Sequence, residues 1–148
     1  MQIFSPAFDN NQEIPEKYTC DGEEINPPLL FEDILDDTAS LALVVSDPDA
    51  PQGTFTHWIV FNIDPEVRDI DEAEVPEGAM LGRNSAGKLD YVGPCPPSGI
   101  HHYIFRLYAL DELLDLPEGT LHEEIIDAME GHILETAKLV GLYGQEEV

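Results

Sequence analysis

The sequence predicts a mainly β chain of the α+β class, with a single well-signalled helix near its C-terminal end. Three observations carry that expectation. Short apolar runs rich in β-branched and aromatic residues recur along the chain. Prolines separate them, 12 in 148 residues. Clear helical periodicity appears only after Thr120.

The first predicted strand is Leu41 to Ser46 and the second His57 to Ile63. The third and longest is His101 to Leu110, with three aromatic residues and an isoleucine. Between them, Pro48, Pro51, Pro65, Pro76, Pro94, Pro96 and Pro97 each fix their own φ and bias the preceding residue towards extended backbone. The acidic segment Asp64 to Glu77 reads as loop with room for one helical turn. Thr120-Leu121-His122-Glu123 has the form of a capping box, in which Thr reaches the third amide and Glu reaches back. Leu121, Ile125, Ala128, Met129 and Ile133 then give one apolar helical face, and Gly141 is a natural stop. Gly131 inside that span costs about 1 kcal/mol relative to Ala and marks a place for close packing or a break.

The length suits a single domain over residues 1–148, because a chain this size buries one sizeable core. Six Lys and Arg against 31 Asp and Glu give a formal charge of −25. That balance excludes nucleic acid as a partner, since a duplex needs a positive footprint, and it opposes docking on anionic membranes. The N-terminal residues lack a basic region followed by an apolar one, so no signal peptide is expected. The longest apolar run, Leu41 to Val45, is too short to span a bilayer. A cytoplasmic location is the expectation, and an acid-rich surface suits a high-salt interior. Cys20 and Cys95 are too few for a zinc site and lack CxxC spacing. In a reducing compartment they are expected as free structural thiols, with a disulfide between them as the alternative.

Three stretches could carry chemistry. Asp47-Pro48-Asp49-Ala50-Pro51 follows the first strand and forms a rigid turn with alternating carboxylates. His57 opens the second strand, and simple alternation places it on one face with Ile59, Phe61 and Ile63. Gly93-Pro94-Cys95-Pro96-Pro97-Ser98-Gly99 leads into the third strand, whose alternation puts His101 and Tyr103 together at one end of the core and turns His102 to the other face. This loop lacks P-loop spacing, so it is not a nucleotide cradle, although its amides could face a pocket. There is no Gly-x-Ser-x-Gly elbow, and Cys95 is the only candidate nucleophile, so catalysis is not expected. A metal held by His57, His101 and an Asp has no supporting histidine spacing, and no cofactor or metal is expected.

Taken in order, Asp47 to Pro51, His57-Trp58 and Gly93 through Phe105 resemble the phosphatidylethanolamine-binding protein family. The likeness is to its shorter prokaryotic, Raf-kinase-inhibitor-like branch. Ser5-Pro6-Ala7-Phe8, Ile14-Pro15, Lys17 to Gly22, Asn26 to Leu29 and Leu139 to Gly144 extend it over nearly the whole chain. The resemblance implies a Greek-key β-sandwich with a few short helices. It also implies a pocket for small anions, carried over here to Asp47, Asp49, His57, the loop from Gly93 to Pro97, His101 and Tyr103. Many members have Arg after the second pocket histidine where this chain has His102, and no counterpart of the eukaryotic branch's C-terminal helix is expected. The expected ligand is therefore anionic or zwitterionic, with phosphoethanolamine answering both the histidines and the carboxylates. A protein target such as a kinase or serine protease is the alternative, and a homodimer is expected only because such dimers are common.

Overall fold

The computed structural model describes residues 1–145. Nine strands alternate with loops: β1 (Gln2–Phe4), β2 (Gln12–Glu13), β3 (Leu29–Glu32), β4 (Ser40–Asp47), β5 (Phe55–Ile63), β6 (Asp69–Ile70), β7 (Met80–Leu81), β8 (Gly99–Leu110) and β9 (Ile133–Gln145). A 3₁₀ turn at Glu16–Tyr18 and one helix, α1 (His122–Met129), complete the elements. The larger sheet runs β2-β9-β8-β4-β5-β7 and the smaller β1-β3-β6. Within the larger sheet, β8 returns to lie antiparallel beside β4 after the β4-β5-β7 meander, which is the Greek-key order.

The main core lies between the sheets. Ile3, Leu29 and Phe31 of the small sheet pack in one cluster with Leu43, Val45, Trp58, Val60, Phe105 and Leu107 of the large one. On the other face of the large sheet, Ala42, Val44, Ile59 and Phe61 are covered by Ile125 and Met129 of α1 together with Leu110 and Leu114. Strand β4 is therefore buried on both faces, which is why it reads as a continuous apolar run without alternation.

Two irregularities in β5 correct the simple alternation expected there. Val45 pairs with Trp58 but Ser46 pairs with Thr56, so His57 is an extra residue opposite a single step of β4. A bulge of this kind re-aims a side chain, and here it turns His57 away from Ile59 and Phe61 towards the side of Trp58. A second shift, between the Leu41–Ile63 and Leu43–Val60 pairs, brings Ile63 into the main core. Asn62 takes up that bulge at φ 54, and its side-chain amide bonds both backbone groups of Leu114 at 2.8 Å.

The C-terminal region differs most from expectation. The helix begins at His122 after Leu121, and the Thr120 hydroxyl donates to the Pro117 carbonyl at 2.6 Å instead of capping it. It ends at Met129, where Gly131 at φ 84 turns the chain, so the break that glycine allowed is real. Beyond it, residues 133–145 pair with the whole length of β8. Ala137, Leu139 and Tyr143 pack with the main core, a two-residue spacing that suits a strand and not a helix. The segment Asp64 to Glu77 is loop apart from β6, with no helical turn.

Candidate functional site

The carboxyl end of β4, the start of β5 and the start of β8 meet at one edge of the core, and the loop before β8 folds over them. A cleft of about 200 Å³ opens there, lined by Asp47, Phe55, His57, Gly93, His101 and Tyr103, with Ala50, Pro51, Val92, Cys95, Pro96 and Pro97 around them. Six of the seven predicted residues thus converge. Asp49 does not. Its carboxylate accepts from the backbone N–H of His102 at 2.8 Å and from His102 Nδ1 at 2.7 Å, on the exposed side of β8. These bonds, the backbone one foremost, hold the Asp49 carboxyl below its ordinary pKa. Its contribution to the cleft is indirect, because its own N–H donates to Asp47 Oδ1 at 2.8 Å and helps fix that side chain.

Both histidines are oriented through the same nitrogen. His57 Nδ1 lies 2.7 Å from the Val92 carbonyl, which can only accept, so the proton sits on Nδ1. His101 Nδ1 lies 2.7 Å from Asp47 Oδ2, a buried pair with the same implication. Neither Nε2, nor the Tyr103 hydroxyl, has a hydrogen-bond partner among the described residues, and none of the three is sealed from solvent. Tyr103 links the two rings: its ring lies edge-on to His57 at 5.3 Å between centroids and stacks near His101 at 6.4 Å.

Burial sets the charge state. Desolvation pushes the His57 imidazole below its ordinary pKa, outweighing the favourable bond to Val92 and the attraction of Asp47. It likewise pushes the Tyr103 phenol far up, with Asp47 and Asp49 adding to the effect, so the hydroxyl stays a donor at any physiological pH. Among the described residues, no Lys or Arg lines the cleft.

The covering loop is shaped by contact with the segment around the 3₁₀ turn. The Gly93 N–H donates to Glu24 Oε2 at 3.1 Å, and the Tyr91 hydroxyl donates to the Tyr18 carbonyl at 2.8 Å. A Cβ at Gly93 would stand 2.8 Å from the Tyr18 oxygen and 3.0 Å from the Thr19 carbonyl carbon, so only glycine allows this approach. Cys20 and Cys95 are joined in a disulfide, which replaces the expected pair of free thiols. Their separation of 75 residues hides the pairing in the sequence, whereas the loop packing brings their Cα atoms to 5.4 Å.

Sequence reasoning missed Phe55 and Val92. Phe55 packs edge-on against His57 at 4.8 Å between centroids, and Val92 supplies the carbonyl that sets the tautomer. Phe55 shares the side of His57 two positions on, but the expected strand opened at His57 and so left it out.

Residues 4–144 match the family model described as phosphatidylethanolamine-binding protein. The chain belongs to that family. It is 49% identical to a UPF0098 protein of Methanothermobacter thermautotrophicus over 97% of this chain and 98% of the other. A UPF0098 protein of Pyrococcus horikoshii is also 49% identical, over 94% of this chain and 74% of its own. The structure superimposes on a putative phosphatidylethanolamine-binding protein homologue, CT736 of Chlamydia trachomatis, with TM-score 0.94 and 43% identity, covering 98% and 97% of the two chains. Escherichia coli YbcL, described as a new member of the mammalian PEBP family, gives TM-score 0.91 at 27% identity, covering 98% of each chain. Membership supports a ligand-binding protein of this fold, and no helix among the described residues is long and apolar enough to cross a membrane.

Proposed function

We propose that the cleft binds a phosphoryl or similar oxyanion carried on a small molecule, with a zwitterion such as phosphoethanolamine preferred over a bare anion. The observation that carries this reading is the shared tautomer. With both Nδ1 protons engaged, the two Nε2 atoms and the Tyr103 hydroxyl are what these three side chains have left to offer a ligand. In the neutral form each Nε2 accepts, so among these side chains an oxyanion finds one standing donor, Tyr103, and gains two more only as the imidazoles protonate. Anion binding therefore takes up protons. An ammonium group on the same ligand can meet Asp47, which supports the zwitterion.

The test is a titration of the histidine ring resonances with phosphoethanolamine, inorganic phosphate and acetate at fixed salt, at pH 5.5 and 7.5. Binding with uptake of one proton tightens about tenfold per unit fall in pH across the titrating range. Shifts confined to His57 and His101, lost in His101→Ala, are the expected result. Ring shifts that survive His101→Ala, or no shift at millimolar ligand at either pH, would overturn the reading.

A further inference from the structure

We propose that the Cys20–Cys95 disulfide is a redox clasp on the cleft, and that Cys95 is the sulfur at which a dithiol opens it. This inference rests on the ligand-binding reading of the cleft and adds to it a means of regulation.

Cys95 and the prolines at 96 and 97 form one wall of the cleft. What holds that wall is unevenly distributed. Up to residue 94 the loop is well tied: Val92 N–H donates to the His57 carbonyl at 3.1 Å, and the Cys20 N–H donates to the Pro94 carbonyl at 3.1 Å. From Gly99 onwards it is part of β8, paired with β9. In between, no hydrogen bond ties residues 95–98 to the rest of the protein among the described residues, and Pro96 and Pro97 have no N–H to offer. The covalent tie of this stretch is the disulfide itself. Opening it leaves the wall held only at its two ends.

Access decides which sulfur reacts. Cys95 is exposed while Cys20 is half-buried. A thiolate of the dithiol attacks Cys95 Sγ, the Cys20–Cys95 bond breaks, and Cys20 leaves as a thiolate that takes a proton from water. The second thiol of the reductant then displaces Cys95, giving two protein cysteines and an oxidised, cyclic or protein-bound, disulfide. With a net charge of −25, the protein repels anionic thiols such as carboxylate-bearing tripeptides, so an uncharged dithiol reacts faster at low salt and the difference narrows as salt is added.

The experiment compares the oxidised protein with protein treated with dithiothreitol, the thiols being counted by alkylation and mass spectrometry. Circular dichroism checks the fold, and amide hydrogen exchange is followed over residues 93–98. Inorganic phosphate and phosphoethanolamine are the binding probes. On reduction, exchange in that stretch should quicken, the His57 and His101 ring resonances should move, and affinity should weaken by about tenfold or more as the preformed wall is lost. Peptide mapping after brief exposure to the thiol, with rapid quenching, should place the first adduct on Cys95. Equal affinity and unchanged exchange with two thiols counted would overturn the clasp, as would a first adduct on Cys20. Global unfolding on reduction would also overturn it, making the bond a staple of the whole fold. If the oxidised protein binds neither probe, the ligand reading fails on its own, and the clasp is then judged by hydrogen exchange and the ring resonances.

Discussion

Replacing both cysteines, Cys20→Ala with Cys95→Ala, tests the energetic side of the disulfide separately from the cleft. The bond closes a loop of 75 residues. Chain statistics assign such a loop about 15 cal/mol/K of lost unfolded-state entropy, or about 4.5 kcal/mol at 25 °C. A chain of 148 residues unfolds with an entropy of about 310 cal/mol/K near its midpoint, so the double variant should melt about 14 °C lower. Domains of this size are stable by about 5–15 kcal/mol. The core between the sheets contains neither cysteine, so the variant should remain folded at 25 °C. Differential scanning calorimetry of the oxidised wild type and the double variant, at neutral pH and one scan rate, measures the difference. A shift below about 4 °C would correspond to roughly 1 kcal/mol and would refute the premise that the unfolded chain is constrained by this loop. A variant already unfolded at 25 °C would refute the premise that the core suffices without it.

Three further outcomes follow from particular residues. His57 is held below its ordinary pKa by burial, so the unfolded chain binds the extra proton; its contribution is complete above about pH 6.5 and is lost as pH falls below that towards and through the lower folded value, and denaturant melts from pH 7.5 to 5 should show a steeper loss in wild type than in His57→Gln. Gly93→Ala forces the loop off the Tyr18 and Thr19 backbone and should cost about 1–3 kcal/mol in chemical denaturation, with weaker phosphate binding in the ring-resonance titration. Thr38 is buried with its hydroxyl unpartnered, so Thr38→Val should leave stability unchanged or raise it by up to about 1 kcal/mol, and a clear loss would show that the hydroxyl has a bonding role.

The strands that form the centre of the large sheet were legible because burial acts on them strongly. Leu41 to Ser46, His57 to Ile63 and His101 to Leu110 lie within β4, β5 and β8, each of which extends one to two residues further in at least one direction. The short strands β1, β2, β3, β6 and β7 were not legible, since two to four residues carry no period and depend on a neighbouring strand for their hydrogen bonds. The C-terminal strand was misread for a different reason. Ile125, Met129 and Ile133 keep a helical spacing across Gly131, whereas Ala137, Leu139 and Tyr143 keep a strand spacing from the same point. A reading that continued the first period missed the second. At the cleft, the pairing of His101 with Tyr103 followed from alternation, whereas Asp47 came only with the family resemblance. The direction of His57 depended on a bulge, and the escape of Asp49 to His102 depended on a tertiary bond that no local pattern encodes.

A strongly acidic protein repels anions as a whole, yet the charges around the cleft are arranged locally. Asp47 is occupied by His101 and Asp49 by His102, while Glu24, whose field also reaches His57, accepts from the Gly93 N–H. More distant acids act through solvent, where screening at physiological salt confines them to about 8 Å. None of the six Lys and Arg residues lines the cleft, so under the proposed reading its positive charge must arrive as protons on His57 and His101. Burial resists that step at His57, and an oxyanion in contact with Nε2 would offset the resistance. A bare phosphate has to draw in protons to be held. A zwitterion brings its own cation to the side of Asp47 and needs fewer. The preference between them should therefore be widest near neutral pH and should narrow as acidification charges the site without help from the ligand.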